Sequence, residues 1–130
     1  MVLTSTSVEA SIRGYSSRVL DGLGLSRGRG EDGQYNISGC EVGRKMIHFW
    51  QVDGVRRLDL EPSIRRLKDY LQSQRWAIID FASSPTVVNA LLVAKNPADG
   101  YWIYVKGVQD LNRIAVQVSS PCFKIAETHS

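Results

Sequence analysis

Two cysteines, Cys40 and Cys122, carry the most informative chemistry in this chain. Cys40 ends the alternating run Tyr35-Asn36-Ile37-Ser38-Gly39-Cys40, and Cys122 follows the last such run, in Val116-Gln117-Val118-Ser119-Ser120-Pro121-Cys122-Phe123. As a disulfide they place folding in an oxidising compartment and tie the middle of the chain to its end. As free thiols they are core or edge residues of a cytosolic protein. The spacing alone leaves both readings open. Neither cysteine has a second one close by, so a zinc site is not expected.

The other reactive side chains form no recognisable catalytic set. His48 lies in a predicted strand beside Trp50, and His129 lies in the terminal tail. A Cys40–His48 nucleophile pair lacks any group that would orient the imidazole. Asp80 is the only acid in the run Trp76–Phe81, which makes a glycosidase-type carboxylate pair hard to build. Gly22-Leu23-Gly24 lacks the lysine of a phosphate loop and ends a helix instead of opening one. Asn36-Ile37-Ser38 matches a glycosylation acceptor, a pattern common by chance. No cofactor or metal is expected.

The remaining candidates are surfaces. In Tyr101-Trp102-Ile103-Tyr104-Val105, alternation puts Trp102, Tyr104 and Lys106 on one side of a strand and Tyr101, Ile103 and Val105 on the other. With Ile103 and Val105 toward the helices, Trp102 and Tyr104 occupy the outer face. There they either contact a partner or pair with neighbours such as Leu91, Val93 or Ile114 in a second small core. Trp50 is a further aromatic candidate. The pairs Arg56-Arg57 and Arg65-Arg66 suit an acidic partner or phosphates, or else form a solvated turn and helix face.

These residues must be positioned by elements that the pattern makes visible. Thr6-Ser7-Val8-Glu9 reads as a capping box with Thr6 as N-cap. Val8, Ile12, Tyr15, Val19, Leu20 and Leu23 then form one helical stripe, stopped by Gly22 and Gly24, which predicts a helix over 6–22 that covers a sheet. The stretch 24–33, with Arg27-Gly28-Arg29-Gly30, reads as a flexible loop. Tyr35–Cys40 and Lys45–Val52 read as strands, and Asp53-Gly54 as a tight turn returning through Val55–Leu58 in a hairpin. Glu61-Pro62 predicts a second helix at about 62–74 with Ile64, Leu67 and Leu71 inward. Four strands follow, at 76–81, 86–95, 101–106 and 112–119, with turns at Ser83-Ser84-Pro85 and Asn96-Pro97-Ala98-Asp99-Gly100. The expectation is a single α+β domain over 1–130: helix, hairpin, second helix, then a four-stranded antiparallel meander with the helices on one face and a frayed tail at 127–130.

Composition bounds the function classes. The chain has 130 residues, 43% hydrophobic and 22% charged, enough for a core without a metal. Between Arg44 and Arg75, eight basic residues face four acidic ones, so the net charge of +3 comes from the central third. That is far from the dense basic stripe of a nucleic-acid binder, and nucleic acid is not the expected partner. No apolar run reaches the ~20 residues of a membrane span. The start, Met1-Val2-Leu3-Thr4-Ser5-Thr6, has neither a basic nor an apolar export region, so the chain reads as cytoplasmic or as a trimmed mature form.

The cysteine after a short strand, the segment Leu58 to Trp76 ending in Gln-Arg-Trp, the split Asn96 to Tyr101 and the closing Val118 to Phe123 are similar to small exported proteins and lipoproteins of actinobacteria, a group mostly without assigned activity. The resemblance covers roughly residues 35–123. It implies a mature extracytoplasmic domain in which Cys40 and Cys122 are bonded, and it implies no activity. The chain departs from the group in lacking a lipidated N-terminal cysteine, so any lipid anchor would have been lost in processing or trimming.

The reading is a non-enzymatic, extracytoplasmic binding domain whose outer sheet face near Trp102 and Tyr104 meets a protein partner or a small apolar ligand. One alternative is a cytoplasmic toxin-neutralising or inhibitory protein that uses the central arginines against acids of its target. Another is a small enzyme with a pocket between sheet and helices, using His48 or Asp80.

Overall fold

The computed structural model describes residues 2–25, 33–41, 43–82, 89–108 and 112–125. The chain runs β1 (Val2–Leu3), α1 (Ser5–Leu23), β2 (Gln34–Cys40), β3 (Gly43–Asp53), α2 (Arg57–Ser73), β4 (Ala77–Ala82), β5 (Asn89–Lys95), β6 (Trp102–Val108), β7 (Arg113–Ser119) and β8 (Lys124–Ile125). Six strands form one open antiparallel sheet in the order β2-β3-β7-β6-β5-β4, and β1 pairs with β8 in a separate parallel ladder. The fold is α+β. The meander expected from the last four long strands is present, as four of the six strands. The turn at Ser83-Ser84-Pro85, part of the loop at 24–33 and the tail at 127–130 lie outside the described residues.

Strand alternation decides which face is covered. Met46, His48, Trp50 and Val52 on β3, Ile114, Val116 and Val118 on β7, Ile103 and Val105 on β6, and Leu92 and Ala94 on β5 are all buried. Helix α1 lies over β3 and β7, and α2 lies over β4, β5 and β6. From α1, Val8, Ile12, Val19, Leu20 and Leu23 complete this core, as the helical stripe implies. The two helices also pack on each other. A Cβ on Gly22 would stand 2.7 Å from Leu67 Cδ1, so Gly22 permits their close approach and does not end α1. The helix stops at Gly24, whose φ of 74° is the left-handed C-cap.

Three expectations need correction. The N-cap of α1 is Thr4, not Thr6: its Oγ1 accepts from the Ser7 N–H at 3.0 Å, while Glu9 pairs with Arg13 one turn on. Helix α2 begins at Arg57, so Pro62 sits inside it and not at its first position. The missing proline N–H removes one rung, and the apolar face through Leu60, Ile64, Leu67 and Leu71 holds the helix across the gap. The segment Val55–Leu58 is therefore not a return strand. Gly54, at φ 75°, turns the chain off the sheet, and the Val55 N–H bonds to Asn112 O at 2.9 Å. The real hairpin is β2–β3, with Cys40 opposite Gly43, and the far side of β3 is taken by β7 with Trp50 opposite Val116.

The cysteines are joined. Cys40 and Cys122 form a disulfide with Cα atoms 6.1 Å apart. The bond runs from the end of β2, over the start of β3, to the chain just after β7. Beneath it Arg44 and Phe123 exchange backbone hydrogen bonds at 2.7 and 2.8 Å. A Cβ on Gly43 would lie 2.1 Å from Phe123 O, so this crossing requires glycine.

Candidate functional site

The face of the sheet away from the helices carries the candidate site. The register sets its side chains in rows. Trp102 on β6 stands opposite Ser119 on β7, which stands opposite Ile47 on β3. In the next row Tyr104 stands opposite Gln117, which stands opposite Phe49. On the other side of β6, Lys95 faces Trp102 and Val93 faces Tyr104. Trp102 is 36% exposed and Tyr104 41% exposed, whereas Ile103 and Val105 between and beyond them are buried toward the helices. The expected alternation of β6 is therefore observed. Of the neighbours considered for a second small core, Val93 does oppose Tyr104, but Leu91 opposes Lys106 and Ile114 points to the helix side.

Two clefts run across this face and meet at Tyr104 and Gln117. One, about 570 Å³, is lined by Gln34, Phe49, Gln51, Tyr104, Lys106 and Gln117. The other, about 420 Å³, is lined by Lys45, Ile47, Val93, Trp102 and both half-cystines. Apolar surface dominates the middle of the face, and lysines stand around it. Lys95 Nζ lies 5.3 Å from the centre of the Trp102 ring, a cation–π contact that steadies the ring without covering it.

The other sequence candidates are elsewhere. Trp50 turns to the helix side and is 5% exposed, so Phe49, its strand neighbour, supplies the third aromatic ring of the open face. Arg56 and Arg65 lie on α2 or at its start and are paired along the helix, with Asp59 at 3.0 Å and Glu61 at 2.7 Å; Arg65 also lies over the Phe81 ring. Arg66 is exposed and crosses beside Gly24. The side chain of Arg57 lies outside the described residues. None of the described arginines joins Trp102 and Tyr104.

His48 and Asp80 are not together: His48 is buried on β3, and Asp80 is exposed on β4, four strands away in the sheet. His48 belongs to a buried polar cluster that the sequence reading missed. Its Nδ1 lies 2.7 Å from Ser16 Oγ, and the Trp50 indole N–H donates to the same oxygen at 3.0 Å. The indole is a donor only, so the serine oxygen is the acceptor of that bond while also lying within hydrogen-bond distance of Nδ1. Tyr35 stacks on the imidazole, centroids 4.1 Å apart. The available signal was Ser16 itself, four residues after Ile12 and so in line with the apolar stripe of α1.

A second missed cluster holds α1 to the β5–β6 loop. The Tyr15 hydroxyl donates to Asp99, and Tyr15 packs edge-on against Trp76 at 5.3 Å. Burial and the Asp99 carboxylate both push the Tyr15 pKa above its ordinary value of 10.0. Burial is also the largest cause raising Tyr101, with a hydrogen bond from Ser11 acting the other way. Between the helices and the sheet, beside Tyr15, Tyr70 and Trp76, lies a cavity of about 80 Å³. It is well below the roughly 300–1,000 Å³ typical of ligand sites. Among the described residues, no group of three or more His, Cys, Asp or Glu is placed to hold a metal ion. No helix among them is long and apolar enough to cross a membrane.

Comparison with known proteins yields little at the sequence level: no family model matches the chain, and no curated protein matches it. Among solved structures, the fold is similar to a DUF4853 family protein from the actinobacterium Actinomyces odontolyticus, at 13% identity and a TM-score of 0.48. The match covers 91% of this chain and 65% of the other, so this chain spans about two thirds of that protein's length.

Proposed function

We propose that the protein is a binding domain that works outside the cytoplasm and docks a protein partner on the open face of its sheet. The observation that carries this reading is the joint exposure of Trp102 and Tyr104 beside Phe49, in clefts that run together across the sheet. An apolar, aromatic centre with a polar rim is the anatomy of a protein interface, and large amphipathic rings supply contact area at low entropic cost. Lys45, Lys95 and Lys106 on that rim favour a partner whose apolar anchor is flanked by acidic residues. The Cys40–Cys122 disulfide supports the location, because such bonds persist in oxidising compartments.

The test is selection of a random peptide library on the oxidised protein. Peptides with an apolar residue flanked by Asp or Glu are expected to enrich, and to lose binding to a Trp102→Ala/Tyr104→Ala variant. Enrichment that survives the double substitution, or selection of basic peptides, rejects the open face as the docking surface.

A further inference from the structure

The two edges of the sheet are built differently. Edge strand β4 is protected: its pairing with β5 shifts register between Ile78 and Asp80, so Ile79 bulges out, and Asp80 puts a charge in the strand. Lys68 and Arg65 of α2 reach over its Phe81 at 5.0 and 5.4 Å. Bulges and charges are the devices by which sheets prevent strangers from pairing with their edges. Edge strand β2 has no bulge and no charged residue of its own, although Arg13 of α1 lies over its Tyr35 ring at 5.5 Å. Its seven residues pair with β3 without a break from Gln34 opposite Phe49 to Cys40 opposite Gly43. It contains no charged residue and no proline. Ile37, at its midpoint, is 52% exposed. Among the described residues, no strand pairs with the outer side of β2, where every second residue turns its N–H and C=O outward.

We infer that β2 is a dimerisation edge, pairing antiparallel with β2 of a second copy about a two-fold axis at Ile37. A two-fold interface must be complementary to itself, and β2 meets that demand in the register centred on its midpoint. Gln34 stands opposite Cys40, Tyr35 opposite Gly39, Asn36 opposite Ser38, and Ile37 opposite Ile37 of the second copy. No residue of β2 is itself charged, so the strand sets no like charges of its own against each other. Asn36 and Ser38 supply matched polar groups. An aromatic residue opposite glycine is a favoured edge pairing, and the two Ile37 side chains cover each other. The result is a continuous twelve-stranded sheet with both open faces on the same side. A peptide from another protein would gain the backbone bonds but not this symmetry.

The experiment is sedimentation equilibrium of the full, oxidised chain over a concentration series, with Ile37→Lys and Ile37→Glu alone and mixed. Wild type is expected to dimerise as concentration rises. Each variant alone should dimerise at least about tenfold more weakly, because position 37 then faces its own charge. Mixing the two should restore a dimer, now built from one copy of each variant with opposite charges facing across the axis, which loss of folding alone would not produce. A wild type that stays monomeric overturns the inference. So does a variant that dimerises as well as wild type, or a mixture that fails to recover.

Discussion

Tyr15, in the middle of α1, donates its phenolic hydrogen to Asp99, in the loop after β5 and 84 residues along the chain. The loop is held ready for this contact by its own bonds. Asn96 Oδ1 accepts from the Ala98 N–H at 2.8 Å, Asp99 Oδ1 accepts from the Tyr101 N–H at 3.2 Å, and Gly100 takes the left-handed conformation at φ 79°. The clasp ties a helix to a turn that otherwise only joins two strands.

The clasp predicts an alkaline weakness. The folded pKa of Tyr15 is raised above the unfolded value of 10.0, chiefly by burial and then by Asp99. Its stabilisation is therefore complete below pH 10 and is lost progressively as the pH rises from 10 toward the raised value. Tyr101 acts in the same direction. The urea midpoint of wild type should fall steeply above about pH 10. Tyr15→Phe should cost about 1–3 kcal/mol at neutral pH and flatten the alkaline fall, leaving a smaller slope from Tyr101. An unchanged slope in Tyr15→Phe would show that ionisation of this group is not resisted by the fold.

The disulfide joins residues 82 apart in sequence. In the chain-entropy model a closed loop of that length contributes on the order of 4–5 kcal/mol. Replacing both cysteines by serine should lower unfolding free energy by about 2–5 kcal/mol, read from urea denaturation. Intact mass before and after reduction and alkylation checks the bond directly in protein taken from its source.

Ser16→Ala removes the oxygen that the Trp50 indole and His48 Nδ1 share. The indole N–H is then left buried without that acceptor, and a loss of about 2 kcal/mol is expected. Equilibrium unfolding with tryptophan fluorescence as probe reads both the stability and the changed surroundings of Trp50.

The exposed rings make the opposite prediction. Trp102→Ala and Tyr104→Ala each should cost no more than about 1 kcal/mol, because more than a third of each residue is exposed. A loss of several kcal/mol in thermal or urea unfolding would mean that the open face is a second core and not a docking surface.

What was legible in the sequence was whatever repeats locally. The period of two along Trp102–Lys106 places Trp102 and Tyr104 outward, and the helical stripe from Val8 to Leu23 names the buried face of α1. What was not legible depends on partners far along the chain. Nothing local says that β3 pairs with β7, because both faces of a strand and not its neighbours are written in its alternation. Pro62 misplaced the start of α2 because a proline at a first helical position and one tolerated inside look alike until the upstream residues are seen to pack. Trp50 and Phe49 exchanged roles because both faces of β3 are apolar. Ser16 and Asp99 were invisible as partners because a hydrogen bond across 32 or 84 residues has no spacing rule.

The cross-link between Cys40 and Cys122 closes a covalent ring around β3, α2 and the meander. Helix α1 is outside that ring. It is fastened by non-covalent contacts: packing, the Ser16 hydroxyl, the Tyr15–Asp99 clasp, the Ser11–Tyr101 hydrogen bond, Arg13 over the Tyr35 ring and the β1–β8 pairing just ahead of it, so it can swing away while the ring stays shut. Such an opening would strip the cover from Met46, His48, Trp50, Val116 and Val118 together. The sheet would then present an apolar surface on both sides, an aggregation-prone species reached without breaking any covalent bond.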